Sequence, residues 1–126
     1  SAFTFSVEAP HTVAIVLNKV DPVYVTESRN AFNRYNQANF YNRTISISSV
    51  VLNDTTRLVV MSGFENAPPA MEYFKKVQPV AGTQIIPWMP AGKYSFILIS
   101  EHNIQVLQNN QDLQGYLRFQ ERYGIK

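Results

Sequence analysis

His11 and His102 are the side chains best placed by type to move protons or ligate metal near neutral pH, and they are the only two histidines of the chain. Neither has the company that such chemistry needs. A metal site asks for a second ligand at fixed spacing, as in H-x-x-x-H or a neighbouring Cys, and Cys is absent. Glu101-His102, which closes an apolar run, has the composition of an acid/base pair, although a polar dipeptide at a strand end ordinarily faces solvent. The carboxylates are dispersed, so no glycosidase-like pair stands out, and neither a G-x-S-x-G elbow nor a phosphate-binding loop occurs. No catalytic residue, metal site or cofactor is assigned, and the chain reads as a non-enzymatic module.

Contact chemistry is better represented. Trp88 is the only tryptophan, and Pro87 and Met89-Pro90 flank it in a long Pro/Gly-punctuated connection. Rigid aromatic anchors on loops dominate interface energetics, so Trp88, with Met89, Pro90 and Phe64, forms the candidate binding set; the structural alternative is a Trp that plugs an open end of the sheet. Nucleic acid is not an expected partner. The eleven basic residues are scattered from Lys19 onward, with Lys75-Lys76 the only adjacent pair, whereas a nucleic-acid footprint needs a basic stripe.

A chain of 126 residues fits one domain with a sizeable core. Its charged fraction of 16% lies below the ~25% of ordinary soluble domains, so its surface must be rich in amides, hydroxyls and Tyr. Without Cys, neither a disulfide framework nor a thiolate site is possible, and the redox compartment is not legible. No run approaches the ~20 apolar residues that span a bilayer, so this domain is not expected to insert into a membrane. The opening SAFTF reads as a cut from a longer protein, with localisation signals expected upstream of Ser1.

The elements that position these residues follow a strand-then-helix pattern that occurs twice. Phe3, Phe5 and Val7 alternate with polar residues and suggest an N-terminal edge strand. Thr12 to Asn18 is a β-branched run suited to a strand buried on both faces. Asp21-Pro22 then starts a helix whose inward stripe is Val25, Ser28, Phe32, Tyr35 and Asn39. Thr44 to Leu52 and Thr56 to Ser62 make a hairpin around Asn53-Asp54. Asn66 can cap the next helix, where Pro68 and Pro69 fit the first turn, and Ala67, Ala70, Met71, Phe74 and Val77 form its apolar face. In the connection from Gln78 to Gly92, Thr83 to Ile86 suggests a short strand. Tyr94 to Ser100 is the next strand, Ile104 to Leu107 a further short one, and Asn109 or Asn110 can cap a final helix bearing Leu113, Tyr116, Leu117 and Tyr123. Gly115 within it costs about 1 kcal/mol relative to Ala.

Strand, helix, strand, strand, helix, strand is the order of the ferredoxin-like split βαβ fold, an α+β antiparallel sheet with two helices on one face. A base-stacking sheet of this topology would carry aromatics on its third strand, where TRLVVMSGF has aliphatics. Ala14 and Val16, Val59 and Met61, and both alternations of Phe96 to Ile99 place apolar residues on both faces. Exposing them would cost ~25 cal/mol per Å², so the second face must be covered by the C-terminal helix, the N-terminal strand or a partner.

The stretches PHTVAIVLNKVDPVYVTESRNAFNRYN, GFENAPPAMEYF, IIPWMPAGKYSFILIS and NNQDLQGYLRFQERY together resemble the C-terminal domain of PorW/SprE-type tetratricopeptide lipoproteins of gliding, type IX-secreting Bacteroidetes. The resemblance covers nearly the whole chain, from about Val7 to Tyr123. It implies a single non-enzymatic domain, 1–126, at the C-terminal end of a helical-repeat protein. That protein would be periplasmic, lipid-anchored to the outer membrane, and partnered with other envelope proteins of the secretion and motility machinery. GFENAPPA after a strand also looks like the matching piece of SPOR domains, which bind peptidoglycan on the sheet face. That likeness implies a glycan-binding alternative.

Overall fold

In the computed structural model, which describes residues 2–124, four strands form one antiparallel sheet in the order β2-β3-β1-β4. They are β1 (His11–Asn18), β2 (Ser46–Val51), β3 (Thr56–Phe64) and β4 (Tyr94–Ser100). Helix α1 (Pro22–Asn39) links β1 to β2, and α2 (Ala67–Val80) lies between β3 and β4. This is the α+β, ferredoxin-like split βαβ arrangement. The expected hairpin is β2–β3, paired from Ser46↔Ser62 to Val51↔Arg57.

The two sheet faces carry separate cores. Val13, Ile15, Leu17, Val59 and Met61 meet Phe32 of α1 and Met71, Tyr73 and Val77 of α2. On the reverse face Ala14, Val16, Leu58, Val60, Ile97 and Ile99 meet Ile104, Leu107 and Tyr116. The chain therefore covers its own second face, with α3 (Glu101–Asn110) and α4 (Leu113–Tyr123). Each fully buried aliphatic or aromatic side chain contributes roughly 1.5–3 kcal/mol, which explains why β1 and β4 are apolar on both alternations.

Several local expectations are corrected. The N-terminal segment forms no strand: Phe3 is buried in the second core, edge-on to Tyr116 at 5.1 Å, while Phe5 is exposed. Ile104 to Leu107 is helical, because Ser100 caps α3 by accepting from Asn103 N at 3.1 Å and the buried pair is spaced by three, a helical interval. Thr83 to Ile86 is not a strand either. Pro79 lies inside α2 and lacks the amide that a regular helix needs there; the chain leaves through a π turn, Ala81–Ile85, closed by Ile86 N donating to Ala81 O at 2.8 Å. Asp21 and Asn66 occupy the N-cap positions of α1 and α2 without a side-chain capping bond. The final helix is capped by Asp112, whose Oδ1 accepts from Gly115 N at 2.9 Å, and not by Asn109 or Asn110. A Cβ at Gly115 would stand 2.1 Å from Asp112 Oδ2, so this glycine makes room for the cap. On α1 the buried stripe ends on Asn36 rather than Asn39, and on α2 Tyr73 is fully buried while Phe74, as expected on the inner face, packs half-buried against the first core.

Candidate binding surfaces

The four expected contact residues do not share one surface. Phe64 closes β3 opposite His11, at the start of β1. Trp88 stacks on Tyr24 in the first turns of α1, which begins beyond the other end of β1. The length of the sheet separates them.

At the Trp88 end the ring planes lie 23° apart with centroids at 5.8 Å, and both residues are 42% exposed. Val23, beside Tyr24, is also exposed. Met89 points inward and is buried in the first core, and its amide donates to Ile86 O at 3.0 Å. Pro87 and Pro90 remain exposed on either side. Met89 thus anchors the loop from below while Trp88 is presented above. Tyr24 is the partner that sequence reading missed; its spacing from the first helical proline carried no signal, because stacking joins residues distant in sequence.

At the other end Phe64 is buried against Tyr73, centroids 5.3 Å apart, and Tyr73 continues to Phe40 at 4.9 Å. These rings floor a cleft of about 520 Å³ whose rim includes Tyr35, Tyr41, Asn39, Asn42 and Arg43. An extra residue in β3 between the His11↔Phe64 and Val13↔Met61 pairs forms a bulge, and Gly63 within it has φ 111°, a conformation that favours glycine. Gly63 O accepts from Arg43, which also pairs with Glu65 at 3.2 Å and lies over the Phe64 ring at 5.3 Å.

The electrostatics of this cleft are muted. Arg43 holds the exposed Glu65 carboxyl below its ordinary range, chiefly through their hydrogen bond. Glu72 pairs with Lys76 at 3.2 Å. Tyr73 Oη donates to Asn36 Oδ1 at 2.6 Å, and burial pushes the phenol well above its ordinary value, so it stays protonated. Tyr41, 85% exposed, is the prominent free ring of the rim.

The β1–β4 pairing brings His11 and His102 to the same end of the sheet, but not into a reactive cleft. His11 pairs with Ser100, immediately before Glu101-His102, and its Nδ1 is 2.7 Å from Ala9 O. Glu101 and His102 are exposed in the first turn of α3. The cavity touching His11 is about 30 Å³, near the volume share of a single water. Among the described residues no three His, Asp or Glu come together in a way that could hold a metal ion, and no helix is long and apolar enough to cross a membrane.

No family model, curated protein or solved structure matches this chain. The functional reading therefore rests on these surfaces and on the residues that form them.

Proposed function

We propose that this domain is a non-catalytic protein-binding module whose contact surface centres on Trp88 and Tyr24. The observation that carries the reading is the stacked, half-exposed pair, Tyr24 presented by α1 and Trp88 by a loop that Met89 and two prolines stiffen. Large rings with little conformational freedom to lose make efficient interface anchors. Both sheet faces are already packed by the chain's own helices, so a partner has loops and edges to bind rather than the sheet face.

The resemblance supplies the setting: a periplasmic accessory lipoprotein of type IX secretion and gliding motility, bound to other envelope proteins. Pull-down from envelope extract with this domain as bait tests it. Trp88→Ala and Tyr24→Ala should each release a specific partner that the unaltered domain retains, and unchanged capture by both variants would reject the anchor.

A second reading, peptidoglycan binding, is favoured by one observation, the cleft rimmed by Tyr35, Tyr41, Asn39, Asn42 and Arg43. Exposed rings can stack on sugar and side-chain amides can bond hydroxyls. The sheet face used by SPOR domains is covered here by α3 and α4. Under this reading the domain co-sediments with purified sacculi and Tyr41→Ala weakens the association; absence of sedimentation rejects it.

A further inference from the structure

The two edges of the sheet are finished differently. At β4, both outward backbone groups of Leu98 are engaged by α4: Leu98 N donates to Gln120 Oε1 at 3.1 Å, and Tyr116 Oη donates to Leu98 O. At Leu98 that edge is closed by the chain itself. β2 has no counterpart.

The orientation of the β2 backbone follows from its hairpin. Leu52 N donates to Thr56 O at 3.0 Å, so this pair faces β3. Hydrogen-bonded pairs of an antiparallel ladder recur every second residue, so Val50, Ser48 and Ser46 also point inward, to Leu58, Val60 and Ser62. Ile47, Ser49 and Val51 therefore aim their N–H and C=O groups outward. None of these groups has a hydrogen-bond partner among the described residues. The usual protections of an edge are Lys, Pro or a bulge, and the stretch TISISSVVLN from Thr44 to Asn53 contains no charge and no proline. Val51 is left 66% exposed.

This edge is complementary to itself. A two-fold axis at Ser49, perpendicular to the sheet, sets Ser49 against its symmetry mate and Ile47 against Val51 on both sides. The residues at these positions are all outward-facing, so every outward N–H and C=O of the three residues gains a partner, and the exposed Val51 meets an aliphatic side chain. Registers displaced by one residue would oppose outward-facing with inward-facing backbone. Closed two-fold dimers are the commonest homo-oligomers. We propose that β2 is a homodimerisation edge, through which a second copy of this chain continues the four-stranded sheet into one of eight strands. The surface is distinct from the Tyr24–Trp88 pair, so the proposal stands or falls separately from the protein-binding reading.

Sedimentation equilibrium and a cysteine cross-link test it. The unaltered domain should shift from 14.4 kDa toward twice that mass as concentration rises into the millimolar range. Ser49→Pro removes one outward amide at the axis but no β2–β3 bond, and an edge strand tolerates proline there. This variant should keep its far-UV circular dichroism and stay monomeric, and Trp88→Ala should dimerise like the unaltered domain. Ser49→Cys would be the only thiol, with its mate's Cα at roughly 5.5 Å, inside the disulfide range. It should cross-link under mild oxidation at least ten-fold faster than Ser95→Cys on β4. A domain that remains 14.4 kDa throughout, or equal cross-linking at the two sites, overturns the proposal, as does an undiminished dimer of folded Ser49→Pro. A Ser49→Pro that loses its fold leaves the cross-linking ratio to decide.

Discussion

Asn103 holds Thr4 by both of its backbone groups: Thr4 N donates to Asn103 Oδ1 at 3.0 Å, and Asn103 Nδ2 donates to Thr4 O at 2.8 Å. One side-chain amide does here what a neighbouring strand would do, and the N-terminal segment is tied down without joining the sheet. Phe3, next to this clasp, is thereby seated against Tyr116. Asn103→Ala should cost about 1–3 kcal/mol, two modest hydrogen bonds plus partial release of Phe3. Urea unfolding would show a lower midpoint, and amide exchange at Thr4 should accelerate well before global unfolding.

Ser28 makes the opposite case. Its Oγ is buried in α1 and has no hydrogen-bond partner among the described residues. Ser28→Ala removes an unsatisfied hydroxyl and raises helix propensity, so stability should increase by about 1 kcal/mol. A fall in the urea midpoint would show that the hydroxyl is satisfied in solution.

Alkaline pH should unfold the domain through two of its seven tyrosines. Burial raises the pKa of both Tyr73 and Tyr116 above the ordinary 10.0. The folded state then holds protons that the unfolded state has lost, so stability is full below pH 10 and falls as pH rises beyond it. Absorbance at 295 nm should show these two phenols ionising only with loss of the fold. Tyr116→Phe should make the decline above pH 10 shallower, and an unchanged slope would contradict its part in it.

Gly63→Ala should be strongly destabilising. A Cβ there would lie 2.5 Å from Thr44 O, and the φ of 111° is itself strained for any L side chain. A loss of about 2 kcal/mol or more is expected, measurable as a lower melting temperature. Rearrangement of the Phe64 and Arg43 rim should follow, visible in the side-chain NMR shifts of Tyr73.

Much of the fold was legible because its main elements announce themselves locally. The apolar runs of β1 and β4 and the Asn53-Asp54 hairpin carry period and turn chemistry in a few residues. The failures occurred where one short pattern fits two structures. Ile104-Gln105-Val106-Leu107 satisfies a strand of four as well as a helix turn, and only the Ser100 cap and the waiting apolar sheet face decide for the helix. Phe3, Phe5 and Val7 alternate like a strand, yet the backbone of this segment is met at Thr4 by the Asn103 side chain and at Val7 by Ala67 N, which donates to Val7 O at 2.9 Å. Of the candidate contact residues, Trp88 and Pro90 are at the surface, Met89 is buried beneath the Trp88 loop, and Phe64 is buried at the opposite end of the sheet.

By itself the sequence determined an α+β fold with a sheet apolar on both sides, since the alternation of side chains along a strand is fixed by covalent geometry. Which segment covers the second side, which ring stacks on Trp88 and which sheet edge stays open were decided only in three dimensions. Those outcomes depend on contacts between residues far apart along the chain, such as Tyr24 with Trp88 and Leu98 with Gln120, and the free energy of such contacts is set by packing that no local pattern encodes.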